Sequence, residues 1–196
     1  MARAKQPGSK PRLSTEALNK HLEKFDIDRK KYPLLIVGIR GYYLNSMGKR
    51  GKNDRGLYDD AIFIVTPNAT VSFNANVDPS VFRKRIATLV PGIYYSYKFD
   101  THRGSKSQYP AICQRKGKVT VSRDGWKNLD TGMFGINIHR GGWSTTSSLG
   151  CQTIPRTQWD AFYQLAKAEA KRLLGSRWNK ATIPYVLLEN KRGKIS

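Results

Sequence analysis

Acidic residues are scarce in this chain. Fourteen Asp and Glu stand against 35 Lys and Arg, a formal charge of +21 spread over all 196 residues. So large an excess of one sign draws a protein to polyanions through counterion release or surface potential; nucleic acid, lipopolysaccharide, teichoic acid and an anionic membrane all qualify. Cysteine is nearly absent. Cys113 sits in Pro110-Ala111-Ile112-Cys113-Gln114 and Cys151 in Leu149-Gly150-Cys151-Gln152, and two thiols in such dissimilar settings exclude a disulfide framework. Long apolar runs are missing as well: Leu34 to Val37 and Ala61 to Val65, the longest, are far too short to span a bilayer. The start Met1-Ala2-Arg3-Ala4-Lys5-Gln6-Pro7 has no apolar stretch to serve as a signal peptide, so synthesis in the cytoplasm is expected. There is no Walker A loop, zinc-finger spacing, helix-turn-helix pattern or internal repeat.

What is present reads as one core with a basic extension. Residues 1–12 carry Arg3, Lys5, Lys10 and Arg12 among Pro7, Gly8, Ser9 and Pro11, and are expected to form a disordered arm before a single catalytic domain over 13–196. Ser14 is a suitable N-cap for a short helix with Leu18, Leu22 and Phe25 at helical spacing. Apolar or alternating runs at Tyr32–Tyr43, Tyr58–Val65, Thr70–Phe73, Gly92–Tyr97, Ala111–Gln114, Lys118–Ser122, Met133–His139 and Pro184–Glu189 predict short strands. Thr157 can cap a helix over Gln158–Leu174, with Asp160 in its first turn, an apolar stripe of Trp159, Phe162, Ala166, Ala170 and Leu173, and Gly175 as its stop. The expected fold is α+β: a mostly antiparallel β sandwich or barrel with a short N-terminal helix and one longer helix after Cys151.

The chemistry-bearing segment is Gly135-Ile136-Asn137-Ile138-His139-Arg140-Gly141-Gly142, followed by Ser147-Ser148-Leu149-Gly150-Cys151-Gln152. A strand delivers His139 to its end, and twelve residues later a tight turn at Gly150 presents Cys151. An imidazole near the sulfur would lower the thiol pKa, and backbone N–H groups of Gly150 and Cys151 would form an oxyanion hole. Cys113, in a strand, reads as core. Arg140, Gln152 and Ser148 flank the pair and are candidates for holding a substrate carboxylate or amide.

At these residues the chain resembles the catalytic segment of L,D-transpeptidase-type cysteine enzymes of bacterial cell walls, in the compact form of phage lysis proteins. His139 matches the histidine of the family's His-Gly pair, with Arg140 intervening before Gly141; Ser148, Gly150 and Cys151 match its Ser, Gly and nucleophilic Cys. Leu149 stands where a second histidine belongs and Thr153 where an arginine belongs, so His102 is the candidate to supply the second imidazole from another loop. The resemblance implies an L,D-transpeptidase-like fold and a monomeric endolysin that cleaves or exchanges peptidoglycan stem peptides through a thioester. It implies no cofactor. Such an enzyme waits in the cytoplasm, reaches the wall through a membrane pore, and is concentrated by its charge on lipopolysaccharide or teichoic acid.

Two alternatives stay open. His102, His139 and Cys151 would make three ligands for a catalytic zinc in a peptidoglycan amidase. A non-enzymatic nucleic-acid binder would instead use the basic surface with Tyr42, Tyr43, Tyr94, Tyr95 and Tyr97 as a stacking sheet.

Overall fold

The apolar run at Leu34–Ile39 becomes strand β1 (Leu35–Arg40) at the heart of the computed structural model, which describes residues 3–103 and 108–196. Helix α1 (Thr15–Leu22) precedes it. After it come β2 (Asp60–Val65), β3 (Thr70–Ala75), β4 (Ala87–Leu89), β5 (Gly92–Arg103), β6 (Gln108–Gln114), β7 (Val119–Arg123), β8 (Asp130–Gly132), β9 (Ile138–Arg140) and β10 (Gln152–Ile154). Helix α2 (Arg156–Leu174), β11 (Ile183–Lys191) and β12 (Lys194–Ile195) complete the chain.

The main sheet runs β10-β9-β6-β5-β11-β1-β2-β3, with β12 on β11. Two of its pairings, β1 with β11 and β9 with β10, are parallel; the others are antiparallel. Its two ends meet. Asn76, just beyond β3, and Thr153 of β10 exchange a pair of backbone hydrogen bonds of 2.8 Å each, which nearly closes the sheet into a barrel. A second sheet, β4-β7-β8, packs against the first.

Successive side chains of a strand point to opposite faces, and both faces of β1 are covered. Leu35, Val37 and Ile39 pack with Leu18 and Leu22 of α1, while Leu34 and Ile36 join the cluster containing Trp159, Phe162, Ala166 and Ala170 of α2. That double cover explains why β1 and β2 are buried at every position. Helix α1 follows its cap signal and α2 its stop signal. Ser14 Oγ accepts the Ala17 N–H at 3.1 Å, and Gly175 ends α2 at φ +57°. α2 starts at Arg156 behind Pro155, so Thr157 lies inside it without capping it and no acid occupies the first turn. Among the described residues, no helix is long and apolar enough to cross a membrane.

The N-terminal arm departs from expectation. Residues 3–12 have no secondary structure of their own, yet they lie bonded along the domain. Ala4 N–H donates to Trp143 O at 3.0 Å, Tyr58 N–H to Lys5 O at 3.0 Å, Tyr43 Oη to Ser9 O at 2.9 Å and Ser72 Oγ to Pro11 O at 2.6 Å. Tyr42 Oη both donates to Arg12 O and accepts its N–H. Composition suggested disorder because the arm has no apolar pattern; the domain instead satisfies its backbone groups with tyrosine and serine hydroxyls.

Candidate active site

Met133–His139, expected as one strand, is not one. Only Ile138–Arg140 pairs as β9, and Gly135 takes φ +71°. The cause is Gln114, buried at the end of β6. Its Nε2 donates to Gly132 O at 2.9 Å and Gly117 O at 3.0 Å, and its Oε1 accepts the N–H groups of Phe134 and Ile136 at 3.1 Å each. One amide side chain thus takes the place of a strand partner and bends the segment around itself.

Asn137 is the next joint. Its Oδ1 accepts the Gln114 N–H at 3.0 Å, its carbonyl accepts the Gln152 N–H at 2.8 Å, its Nδ2 donates to His102 Nδ1 at 3.0 Å, and its N–H points at Cys151 Sγ at 3.3 Å. The thiol in turn donates to Gly135 O at 3.5 Å. Gly150 turns the chain into this position at φ +126°, where an added Cβ would sit 2.6 Å from Ala87 O of β4. Only glycine fits there.

The parallel register sets His139 opposite Thr153. Cys151 immediately precedes β10, so the pairing of β9 with β10 brings His139 and Cys151 onto neighbouring chain segments. His139 is buried and its Nδ1 donates to Arg140 O at 2.8 Å, with Tyr109 Oη 3.1 Å from the same nitrogen and itself donating to Arg140 O at 3.3 Å. A carbonyl can only accept, so the proton is on Nδ1 and Nε2 carries the free lone pair. His102, on β5, is brought to the site by the β5–β6–β9 pairing and stacks on His139 with centroids 4.2 Å apart and planes 21° apart. Gly104 and Ser105, which gave His102 its glycine-rich setting, lie outside the described residues.

Burial dominates the titration of these groups. It drives His139 down to about 4, helped by the neighbouring His102 and Arg140 charges. His102 is also lowered, by burial and by Arg115. The Cys151 thiol is pushed up to about 11, against the pull of the Asn137 N–H. The direction is opposite to the lowered thiol pKa expected from the sequence, and no hydrogen bond joins the sulfur to an imidazole. Cys113 is buried in β6 and pushed up to about 12, as befits a core thiol.

No protein-family model, curated protein or solved structure matches the chain.

Other candidate residues part ways. Arg140 lays its guanidinium over the Tyr109 ring at 4.3 Å and has no carboxylate partner among the described residues, so it remains available to an anionic group. Gln152 does not face a substrate. It is fully buried, donates to Gly150 O at 3.1 Å and accepts from Tyr185 Oη at 3.1 Å. Ser148 is buried too: its Oγ donates to Cys151 O at 2.7 Å and accepts the Gly150 N–H at 3.0 Å. That bond occupies one of the two expected oxyanion donors. The Cys151 N–H is left, with no acceptor among the described residues. The zinc arrangement finds no geometric support, since the two imidazoles stack face to face with each Nδ1 engaged, and among the described residues no three His, Cys, Asp or Glu are grouped to hold a metal. Gln114, Asn137 and Tyr109 were missed by sequence reasoning. Asn137 alone had a local signal, lying two residues before His139 on the same strand face.

Proposed function

We propose that the protein is a cysteine acyl-transfer enzyme that cleaves or exchanges peptide stems of peptidoglycan, of the L,D-transpeptidase-like endolysin kind. The observation that carries this reading is the fixed tautomer of His139: Nδ1–H is held on the Arg140 carbonyl, which leaves Nε2 bare, on a strand whose neighbour β10 directly follows the partly accessible Cys151. A thiol raised to about 11 is a poor nucleophile unaided, and a neutral imidazole is the group that activates it. Nε2 removes the Sγ proton as sulfur attacks the stem-peptide carbonyl carbon, forming the C–S bond. The oxyanion is met by the Cys151 N–H. Imidazolium then protonates the leaving amine as the C–N bond breaks, giving a thioester that water or a second amine resolves with Nε2 again as base. Asn137 and Tyr109 hold the two imidazoles, and Arg140 binds a substrate carboxylate. The charge of +21 supports concentration on an anionic envelope.

Purified protein incubated with peptidoglycan, with released fragments identified by mass spectrometry, tests the reading. Cys151→Ala should lower release by about 10³-fold or more, Cys113→Ala should leave it near wild type, and chelators should have no effect. Degradation by the Cys151→Ala protein at close to the wild-type rate would overturn the covalent mechanism. Alkylation of Cys151 by iodoacetamide should quicken about tenfold per pH unit above neutrality, as a thiol of raised pKa requires. A rate already saturated at neutral pH would instead indicate a thiolate–imidazolium pair.

A further inference from the structure

Two loops at one end of the β4-β7-β8 sheet expose an apolar tip ringed with cations. Val81 (51% exposed), Phe82 (82%), Trp126 (49%) and Leu129 (61%) are all at loop positions. The loops are tied into one unit: Arg85 N–H donates to Asp124 O at 2.8 Å, Asp124 N–H to Ile86 O at 3.1 Å, and Arg83 N–H to Asp124 Oδ2 at 3.2 Å. Arg55 braces them from below, bonding Val81 O at 3.0 Å and both oxygens of Asp124 at 2.5 and 2.8 Å. The nearby acids are thereby neutralised internally, Asp124 by Arg55 and Asp130 by Arg123 at 2.8 Å. Arg83, Lys84, Arg85 and Lys127 have no acidic partner among the described residues.

Single exposed apolar side chains are ordinary, but four on a rigid tip beside four unpaired cations form a patch that asks for a partner. We propose that this tip is an insertion surface for an anionic lipid bilayer, with Val81, Phe82, Trp126 and Leu129 entering the acyl boundary and Arg83, Lys84, Arg85 and Lys127 meeting the headgroup phosphates. The composition is that of an interfacial anchor, aromatic and aliphatic at the apex with Lys and Arg around it. Stacked nucleic-acid bases are a poorer match. Arg55 lies over one face of Phe82 at 4.1 Å and Arg85 over one face of Trp126 at 4.9 Å, so neither ring can be sandwiched between bases. Arg85, exposed and without an acidic partner among the described residues, thereby stands at the level of the Trp126 ring, where a lipid phosphate would meet it. A groove of about 570 Å³ lined by Arg85, Arg123, Trp126, Asn128, Leu129 and Asp130 opens on the same tip, its carboxylate already paired with Arg123. The surface does not depend on the Cys151 chemistry.

Flotation with vesicles tests it, using phosphatidylcholine alone and phosphatidylcholine containing phosphatidylglycerol. The protein should float with the anionic vesicles, and acyl-brominated lipid should quench its fluorescence; Trp126→Phe should remove that quenching. A Val81→Ser, Phe82→Ser, Leu129→Ser variant keeps every charge and changes only exposed side chains. It should keep the wild-type melting midpoint and lose about tenfold or more in vesicle affinity at physiological salt, where the Debye length is about 8 Å. The Cys151→Ala protein should bind vesicles like wild type whatever becomes of its activity. Equal flotation of the triple-Ser variant, or quenching unchanged by Trp126→Phe, would reduce the interaction to bulk charge and overturn the proposal. So would a triple-Ser variant that loses single-stranded DNA while keeping vesicles, which would make the tip a nucleic-acid surface.

Discussion

Asp60 is fully buried and accepts the N–H groups of Gly41 and Val77 at 2.6 Å each, while Arg40 reaches Asp78 at 2.8 Å and its NH2 bonds Leu89 O, also at 2.8 Å. Asp59, next to them and equally buried, has no cation of its own among the described residues. Burial, with the charges of Asp78 and Asp54, pushes its carboxyl up to about 7 from an ordinary 3.8. The folded state therefore holds a proton that the unfolded chain releases, so this group favours folding at pH 4 and opposes it increasingly as pH rises to about 7. His139 acts the other way. Lowered to about 4 from 6.5, it contributes stability that is complete above pH 6.5 and is lost as pH falls toward 4. Asp59→Asn should keep the bond from Asp54 N–H, which spans 2.9 Å in the wild type, and abolish the first dependence. Urea melts should then show the variant gaining on wild type by about 3 kcal/mol between pH 4 and pH 7. A constant difference across that window would mean that Asp59 ionises freely.

Among the elements, the bent segment before β9 shows how one buried side chain can override a strand pattern. Gln114→Ala should leave the N–H groups of Phe134 and Ile136 and the carbonyls of Gly117 and Gly132 without their amide partner, at a cost of about 3 kcal/mol by denaturant unfolding. It should also loosen Asn137, and with it the contact to Cys151. Unchanged stability would mean that water replaces the amide at little cost. The bend was illegible in sequence because its cause lies twenty residues upstream, in a residue type that announces nothing. Both helices and the paired strands β1 and β2 were legible, because the Ser14 cap, the Gly175 stop, apolar stripes and doubly buried apolar runs are local, although the start of α2 was not. The Gly150 turn that presents Cys151 was legible for the same reason, since glycine before a polar segment is a local signal. The stacking of His102 on His139 depends on the β5–β6–β9 pairing, which no local pattern states. Gln152 and Ser148 were misjudged because a polar side chain beside a nucleophile reads alike whether it faces substrate or braces the turn.

At the scale of the whole molecule, the barrel is nearly closed, among the described residues, by the short Asn76–Thr153 bridge, and the N-terminal arm crosses the region of that seam. It is bonded to Ser72 of β3 at one end and to Trp143, between β9 and β10, at the other; Lys10 also lies over Phe73 at 4.8 Å. Deleting residues 1–12 removes Arg3, Lys5, Lys10 and Arg12, and with them four of the +21 charges. It also removes the arm's hydrogen bonds, so a loss of about 3 kcal/mol is expected, a melting shift of roughly 5–10 °C. Charge and packing separate by salt. Short-range bonds are insensitive to ionic strength, whereas attraction to an envelope fades as the Debye length falls from about 10 Å to about 3 Å. The melting deficit of the truncated protein should therefore persist in high salt while its deficit in envelope binding vanishes. Turnover should fall at every salt concentration, because the Trp143 loop that leads into Cys151 loses its anchor at Ala4. A truncated protein that melts and turns over like wild type would mean that the arm only carries charge.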